Sequence, residues 1–256
     1  MKKVIVNIHG AGKQMSNFSD PTIERLTVVM GEKPAFVPCW YADLSNVGSP
    51  VLGLGAEPVS AKEIAFEDEL ARQIERTADQ VGADGTGPDN LGLFDGRSFL
   101  ASVPDLANDL RNYFFVAKVH DAIRQRLIDI LTTASQNFDE ILLVSHSLGT
   151  VVSYDVLHDH ADQFKIAVWV TMGSPLKKVR RMGLRDDNLG KINETTVPLW
   201  RNLYDTHDLV ADAIGPQFPS YPIQDVFYPI ANTAIEAHDY WGNARVVQLI
   251  ASFAKD

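Results

Sequence analysis

The run Glu140-Ile141-Leu142-Leu143-Val144-Ser145-His146-Ser147-Leu148-Gly149-Thr150 joins four branched apolar residues to a chain of small ones. Residues 140–144 fit a strand buried on both faces, and the small-residue run 148–157 fits a helix. A strand that passes straight into a helix leaves room only for a sharp turn. Ser145-His146-Ser147-Leu148-Gly149 occupies it, with Ser-x-Ser-x-Gly where Gly-x-Ser-x-Gly is commoner. Small residues flank the central serine because strand and helix approach closely there, and serine is the next smallest polar substitute for the first glycine. Ser147 is therefore the candidate nucleophile. Its rivals are Ser145, at the end of the strand, and Ser153, inside the helix, where serine usually packs or bonds back to the backbone.

Outward from this turn, short apolar runs alternate with helical periodicity. Residues 4–8, 35–40, 166–172, 197–204 and 225–230 read as further strands. Residues 21–30, with Asp20 as N-cap and Pro21 at the first position, read as a helix, as do 115–138 and 240–254. The pattern predicts an α/β fold, a mostly parallel sheet of about six strands with helices on both faces, in one domain spanning 1–256. Two segments interrupt it. Residues 43–114 hold a helix pattern at 61–81 and a Gly- and Asp-rich stretch at 82–96, and are read as a cap or lid insertion over the active site. The apolar positions Leu52, Leu54, Leu91, Leu93, Phe94, Phe99 and Leu100 are either an acyl-binding lining or satellite core, packing being the commoner role. Residues 175–196, basic and polar, are surface decoration or a functional excursion.

Acyl transfer by serine needs a base for its proton, an acid to orient that base, and donors for the oxyanion. His9-Gly10-Ala11-Gly12 follows the first strand, where glycines let backbone approach a tetrahedral oxygen. The backbone N–H groups of Ala11 and Leu148 are the candidate donors. Gly10-Ala11-Gly12-Lys13 lacks the spacing and the Ser/Thr of a phosphate loop, and His9 is read as structural. Downstream, Asp205, Asp208 and Asp212 all qualify as the acid by position. Asp208, followed by the apolar pair Leu209-Val210, is preferred, because Asp205 could instead close a turn, and His207 between them is expected to be exposed. His238, the one histidine beyond Asp208, completes the order Ser, Asp, His. His158-Asp159-His160 is spaced too closely for one helical face to offer a metal, and no His-Glu-x-x-His or dinucleotide fingerprint occurs, so neither metal nor cofactor is expected.

The formal net charge is −10, a surface that repels phosphate backbones, so no nucleic-acid partner is expected. Cys39 is the single cysteine, which excludes an intrachain disulfide and suits a reducing compartment. The apolar run after Met1-Lys2-Lys3 is too short for a signal peptide and no stretch reaches membrane-spanning length, so a cytoplasmic location is expected.

Together, His9-Gly10-Ala11-Gly12, Ser145-His146-Ser147-Leu148-Gly149-Thr150, Gly173-Ser174-Pro175-Leu176, Tyr204-Asp205-x-x-Asp208 and His238-Asp239-Tyr240-Trp241 resemble the lipase- and esterase-like branch of the α/β-hydrolase superfamily. The resemblance implies a carboxylic-ester hydrolase without cofactor, acting on a small-molecule or lipid-like ester, with Ser147, Asp208 and His238 as its triad. The same scaffold hosts acyltransferases, thioesterases and catalytically silent binding domains, which stand as the alternatives.

Overall fold

Every strand predicted to be buried on both faces finds a parallel neighbour. The computed structural model describes residues 1–12, 14–45, 60–83, 104–234 and 236–255. Its strands β1 (Lys3–Ile8), β2 (Phe36–Cys39), β3 (Glu140–His146), β4 (Ile166–Met172), β5 (Leu199–Tyr204) and β6 (Gln224–Phe227) form one sheet in the order β2-β1-β3-β4-β5-β6. All five pairings are parallel. The helices are α1 (Asp20–Met30), α2 (Ala42–Ser45), α3 (Ala61–Ala83), α4 (Pro104–Phe115), α5 (Ala117–Asn137), α6 (Leu148–His160), α7 (Leu176–Arg181) and α8 (Ala244–Lys255).

The pleat divides the apolar side chains between two cores. Val4, Val6, Ile8, Ile141, Leu143 and Trp169 face the side covered by α3 to α7. Ile5, Leu142, Val144, Val170, Met172 and Leu203 face α1 and α8, where Leu26, Val246, Val247 and Ile250 close the layer. The strand order reverses between β1 and β3: one leads on to β2, the other to β4. The loops leaving their carboxyl ends therefore diverge and open a crevice there, where ligands of open α/β sheets bind.

Several expected boundaries move. Ser19 precedes α1 and Asp20 lies in its first turn, since Pro21 suits either of the first two positions. The helical run expected from 115 breaks at Val116, whose extended backbone separates α4 from α5. The C-terminal helix starts at Ala244, because Tyr240–Gly242 is a 3₁₀ turn that Asp239 caps by accepting from the Gly242 N–H. Within the excursion 43–114, α3 and α4 send Phe66, Leu70, Ile74, Leu110 and Tyr113 into the larger core. Residues 46–59 and 84–103 lie outside the described residues, and with them nearly all of the Gly- and Asp-rich stretch and the apolar positions Leu52, Leu54, Leu91, Leu93, Phe94, Phe99 and Leu100.

Gly149 sets how closely α6 approaches β1. A Cβ there would stand 2.5 Å from the His9 carbonyl oxygen and 2.9 Å from that of Ile8, both backbone atoms that cannot swing aside. Gly149→Ala should therefore lose about 1–3 kcal/mol of unfolding free energy through overpacking. Urea denaturation reads the loss, and an unchanged midpoint would contradict it.

Candidate active site

Ser147 stands where β3 ends and α6 begins. It has φ 52° and ψ −126°, and among the described residues no other non-glycine has positive φ. Such a conformation costs about 1–3 kcal/mol and persists only when its surroundings impose it. Here the Ser147 N–H donates to the Met172 carbonyl at 2.9 Å, and its own carbonyl accepts from the N–H and hydroxyl of Thr150 at 2.9 and 2.7 Å. The side chain lies on the floor of a cavity of about 350 Å³ that also meets Gly10, Ala11, Phe18, His238 and Trp241. That size is in the range of small-molecule sites.

Both rival serines are taken up in the core. Ser145 Oγ lies 2.8 Å from Ser153 Oγ and accepts the Trp169 indole N–H at 3.1 Å, with both serines fully buried. The serine that replaces the first glycine of the motif thus satisfies a buried donor, a role glycine could not fill.

His238 Nδ1 lies 2.8 Å from Asp208 Oδ2. A carboxylate only accepts, so Nδ1 carries a proton, and in the neutral ring Nε2 is then left as an acceptor. Asp208 is wholly buried. Its Oδ2 also accepts from the Tyr240 hydroxyl at 3.0 Å, and its Oδ1 from the N–H groups of Val210 and Ala211. Burial alone pushes this carboxyl up, but the adjacent His238 and these donors hold it below the usual carboxylate range. Ser147 and His238 share the cavity, with no hydrogen bond joining their side chains among the described residues. Hydrogen bonds between groups that act together in a site are often long without a ligand and tighten only when one binds.

The other acids have different partners. Asp205 accepts from the His207 N–H and ring through Oδ1, and from the N–H groups of Ile230 and Ala231 through Oδ2. It closes the turn and anchors the chain after β6. His207 is half-buried against it rather than exposed. Asp212 is paired with Lys178 Nζ at 2.5 Å and Lys177 Nζ at 3.0 Å. Lys178 is itself buried and also donates to the Val210 carbonyl, so the basic segment 175–196 is no mere decoration: it pins the loop that carries Asp208.

Three further contributors lie in the quoted motifs, which assign them no role of their own. His146 Nε2 donates to the His238 carbonyl at 2.9 Å, and the two rings lie 4.6 Å apart. Tyr240 donates to Asp208 while accepting the Asp205 N–H at 2.9 Å, tying both aspartates to the histidine's own turn. At Gly173, φ is 60° and a Cβ would stand 2.7 Å from His238 Cε1, so glycine leaves the ring its place.

On the opposite wall, Gly10 passes so close that a Cβ would meet that of Ser147 at 2.6 Å. The His9 ring is stacked on Tyr41 at 4.0 Å. Its Nε2 accepts the Tyr41 N–H at 3.1 Å, so Nδ1 bears the proton and donates to the Gly10 carbonyl at 2.5 Å. The Tyr41 hydroxyl donates to the His9 and Gly10 carbonyls. A trans peptide directs its N–H opposite to its carbonyl, so the Ala11 N–H points away from His9 and Tyr41. Among the described residues, neither the Ala11 nor the Leu148 N–H has a hydrogen-bond partner.

Comparison with known proteins adds one match. The family model of the PGAP1-like alpha/beta domain matches residues 115–229, somewhat less than half of the chain. That span holds β3 to β6 with Ser147 and Asp208, and stops short of His238. No curated protein matches the chain. Among the described residues no helix is long and apolar enough to cross a membrane, and no group of three or more His, Cys, Asp or Glu could hold a metal ion.

Two buried histidines beside the cavity tie stability to pH. Burial draws His9 down to about 4, and burial with the neighbouring His238 draws His146 down to about 3, from 6.5. Below pH 6.5 the unfolded chain takes up protons that the folded chain refuses, so stability falls with pH until each folded value is passed. Each histidine contributes a slope of up to about 1.4 kcal/mol per pH unit. Unfolding free energies measured between pH 7 and 4 should show this decline, and His9→Gln should flatten it. A flat wild-type profile would refute it.

Proposed function

We propose that this member of the α/β-hydrolase superfamily is a serine hydrolase that cleaves carboxylic esters through Ser147, His238 and Asp208. One observation carries the reading: a buried carboxylate holds the Nδ1 proton of a histidine that shares a cavity with a serine in a strained strand-to-helix turn. In this mechanism His238 Nε2 takes the Ser147 hydroxyl proton as Oγ attacks the ester carbonyl. Asp208 fixes the tautomer and stabilises the imidazolium that forms. The N–H groups of Ala11 and Leu148, both without partners, receive the developing oxyanion. Collapse expels the alcohol with a proton from His238, and His238 then activates water to release the acid.

The cavity walls are partly aromatic, with Phe18 and Trp241, which suits an apolar or lipid-like ester of small size. The buried thiol of Cys39, pushed up to about 12 by burial, is inert, and a chain without disulfides supports a cytoplasmic location.

Turnover of a short-chain chromogenic ester and labelling by a fluorophosphonate test the roles. Ser147→Ala and His238→Ala should each lower kcat by at least about 10³-fold and abolish labelling. Asp208→Asn should lower kcat by about 10²–10⁴-fold with the fold kept, whereas Asp205→Asn should act mainly on stability. Wild-type turnover in Ser147→Ala would overturn the assignment, and equal losses of kcat in both aspartate variants would leave Asp208 with no special role.

A further inference from the structure

The loop proposed to donate to the oxyanion is held from two directions, and the second hold comes from an unexpected part of the chain. The Gly12 N–H donates to Asp109 Oδ2 at 2.7 Å. Asp109 lies on α4, ninety-seven residues away in sequence, within the excursion read above as a lid, and is 6% exposed. Burial, and after it the Asp109 charge, raises the phenol of Tyr41, the tyrosine that holds the Gly10 carbonyl. The loop is thus drawn at Gly10 by His9 and Tyr41, and at Gly12 by Asp109. Ala11 sits between the two holds.

The far end of α4 is fixed as well. The Tyr113 hydroxyl donates to Asp155 Oδ2 at 2.7 Å, and Asp155 is a buried residue of α6, the helix that follows Ser147. Arg185 pairs with both oxygens of Asp155. One helix therefore binds the nucleophile's helix at Tyr113 and the loop opposite the nucleophile at Asp109.

Gly12 has φ 108°, where glycine alone is unstrained, so the Gly12 N–H can face α4 while the chain reverses. The loop has no strand or helix ladder of its own to fix it. A hydrogen bond to an ionised carboxylate is about twice as strong as a neutral one, and is the natural anchor for such a segment.

We propose that Asp109 is a positioning residue that holds the Gly10-Ala11-Gly12 loop so that the Ala11 N–H is presented to the oxyanion, and that α4 thereby bears on catalysis. The proposal rests on the ester-hydrolase reading above. Asp109 acts through the loop and touches no reacting atom. Because its role is geometric, an acceptor of the same shape should replace it. A charge near a developing oxyanion would, if anything, oppose it.

The test uses the full chain with p-nitrophenyl butyrate, and amide hydrogen exchange at Gly12. Asp109→Ala and Asp109→Ser, whose side chains cannot reach the N–H, should lower kcat by about tenfold to a hundredfold with KM within about twofold, the range expected for a misplaced oxyanion donor. Both should slow fluorophosphonate labelling in parallel and speed exchange at Gly12. Asp109→Asn, which keeps an acceptor of the same shape at about half the strength, should retain more kcat than the Ala and Ser variants and protect the Gly12 amide better than they do. Wild-type kcat in the Ala variant, or an Asn variant as impaired as the Ala variant, would overturn the assignment. If the Ala and Ser variants fail to fold, the wild-type protein still decides: a Gly12 amide exchanging as fast as an open loop would overturn it. These outcomes are read against Ser147→Ala. If that variant keeps full turnover, the hydrolase reading falls; if it is inactive while Asp109→Ala is normal, only the role of Asp109 falls.

Discussion

Ser147 sits at φ 52° and ψ −126° because three rigid elements leave it no other path. β3 arrives with neighbours on both sides, paired to β1 from Glu140 to Ser145 and to β4 from Ile141 to His146. α6 departs at once, packed against β1 at a distance only Gly149 allows. The Met172 carbonyl, at the end of β4, takes the Ser147 N–H, so the neighbouring strand also fixes the peptide plane of the turn. Each contact is buried, and the core around it contains Leu143, Val144, Leu148 and Val151, none of which can shift without opening a void. The strain is borne by the whole sheet and not by the turn itself, and this lets a small polar side chain be presented at the floor of a cavity.

The same sheet edge sorts three aspartates by environment. All three lie within eight residues after β5 and all are buried, yet each meets a different partner. Asp212 faces two ammonium groups, Asp205 gathers backbone and histidine N–H groups, and Asp208 alone reaches the His238 ring. A carboxylate with no water around it needs its lone pairs filled, and Asp208 has four donors to fill them. Tyr240 joins the system by accepting the Asp205 N–H and donating to Asp208. Low dielectric strengthens each of these bonds, so the acid and the histidine it orients are set as one unit.

What could be read from the chain follows from what is local. The runs at 4–8, 141–144 and 166–172 declare themselves because both faces of a central parallel strand are apolar. The turn at Ser147 is legible because its steric demand falls on residues within two positions of it. Asp208 and His238 are legible only as members of an order along the chain. The indole N–H that explains Ser145 comes from a residue 24 positions away, the carbonyl held by His146 from one 92 positions away, and the carbonyl held by Lys178 from one 32 positions away. Those contacts are products of strand order and register, which no local pattern encodes. Lys177 and Lys178 look like surface charge for the same reason: a lysine's burial depends on an acid that only the fold brings to it.

The loop opposite Ser147 shows how finely such long-range contacts are balanced. Fixing three backbone residues costs about 3–6 kcal/mol in conformational entropy. Against this stand two neutral hydrogen bonds to the Gly10 carbonyl, about 0.5–1.5 kcal/mol each, and one bond to the Asp109 carboxylate, about 1.5–3 kcal/mol. The holds and the entropy are of equal size, so the loop is ordered with little to spare, and the charged contact is the largest single part of the balance. The two neutral bonds come from residues within two positions of the ends of β1 and β2 and are present whenever the sheet is folded. The charged one comes from α4, which packs through Leu110 and Tyr113 and follows a long excursion. Order at the loop therefore depends on how α4 is seated, and any contact that moves α4 acts on the geometry around Ser147 without touching it.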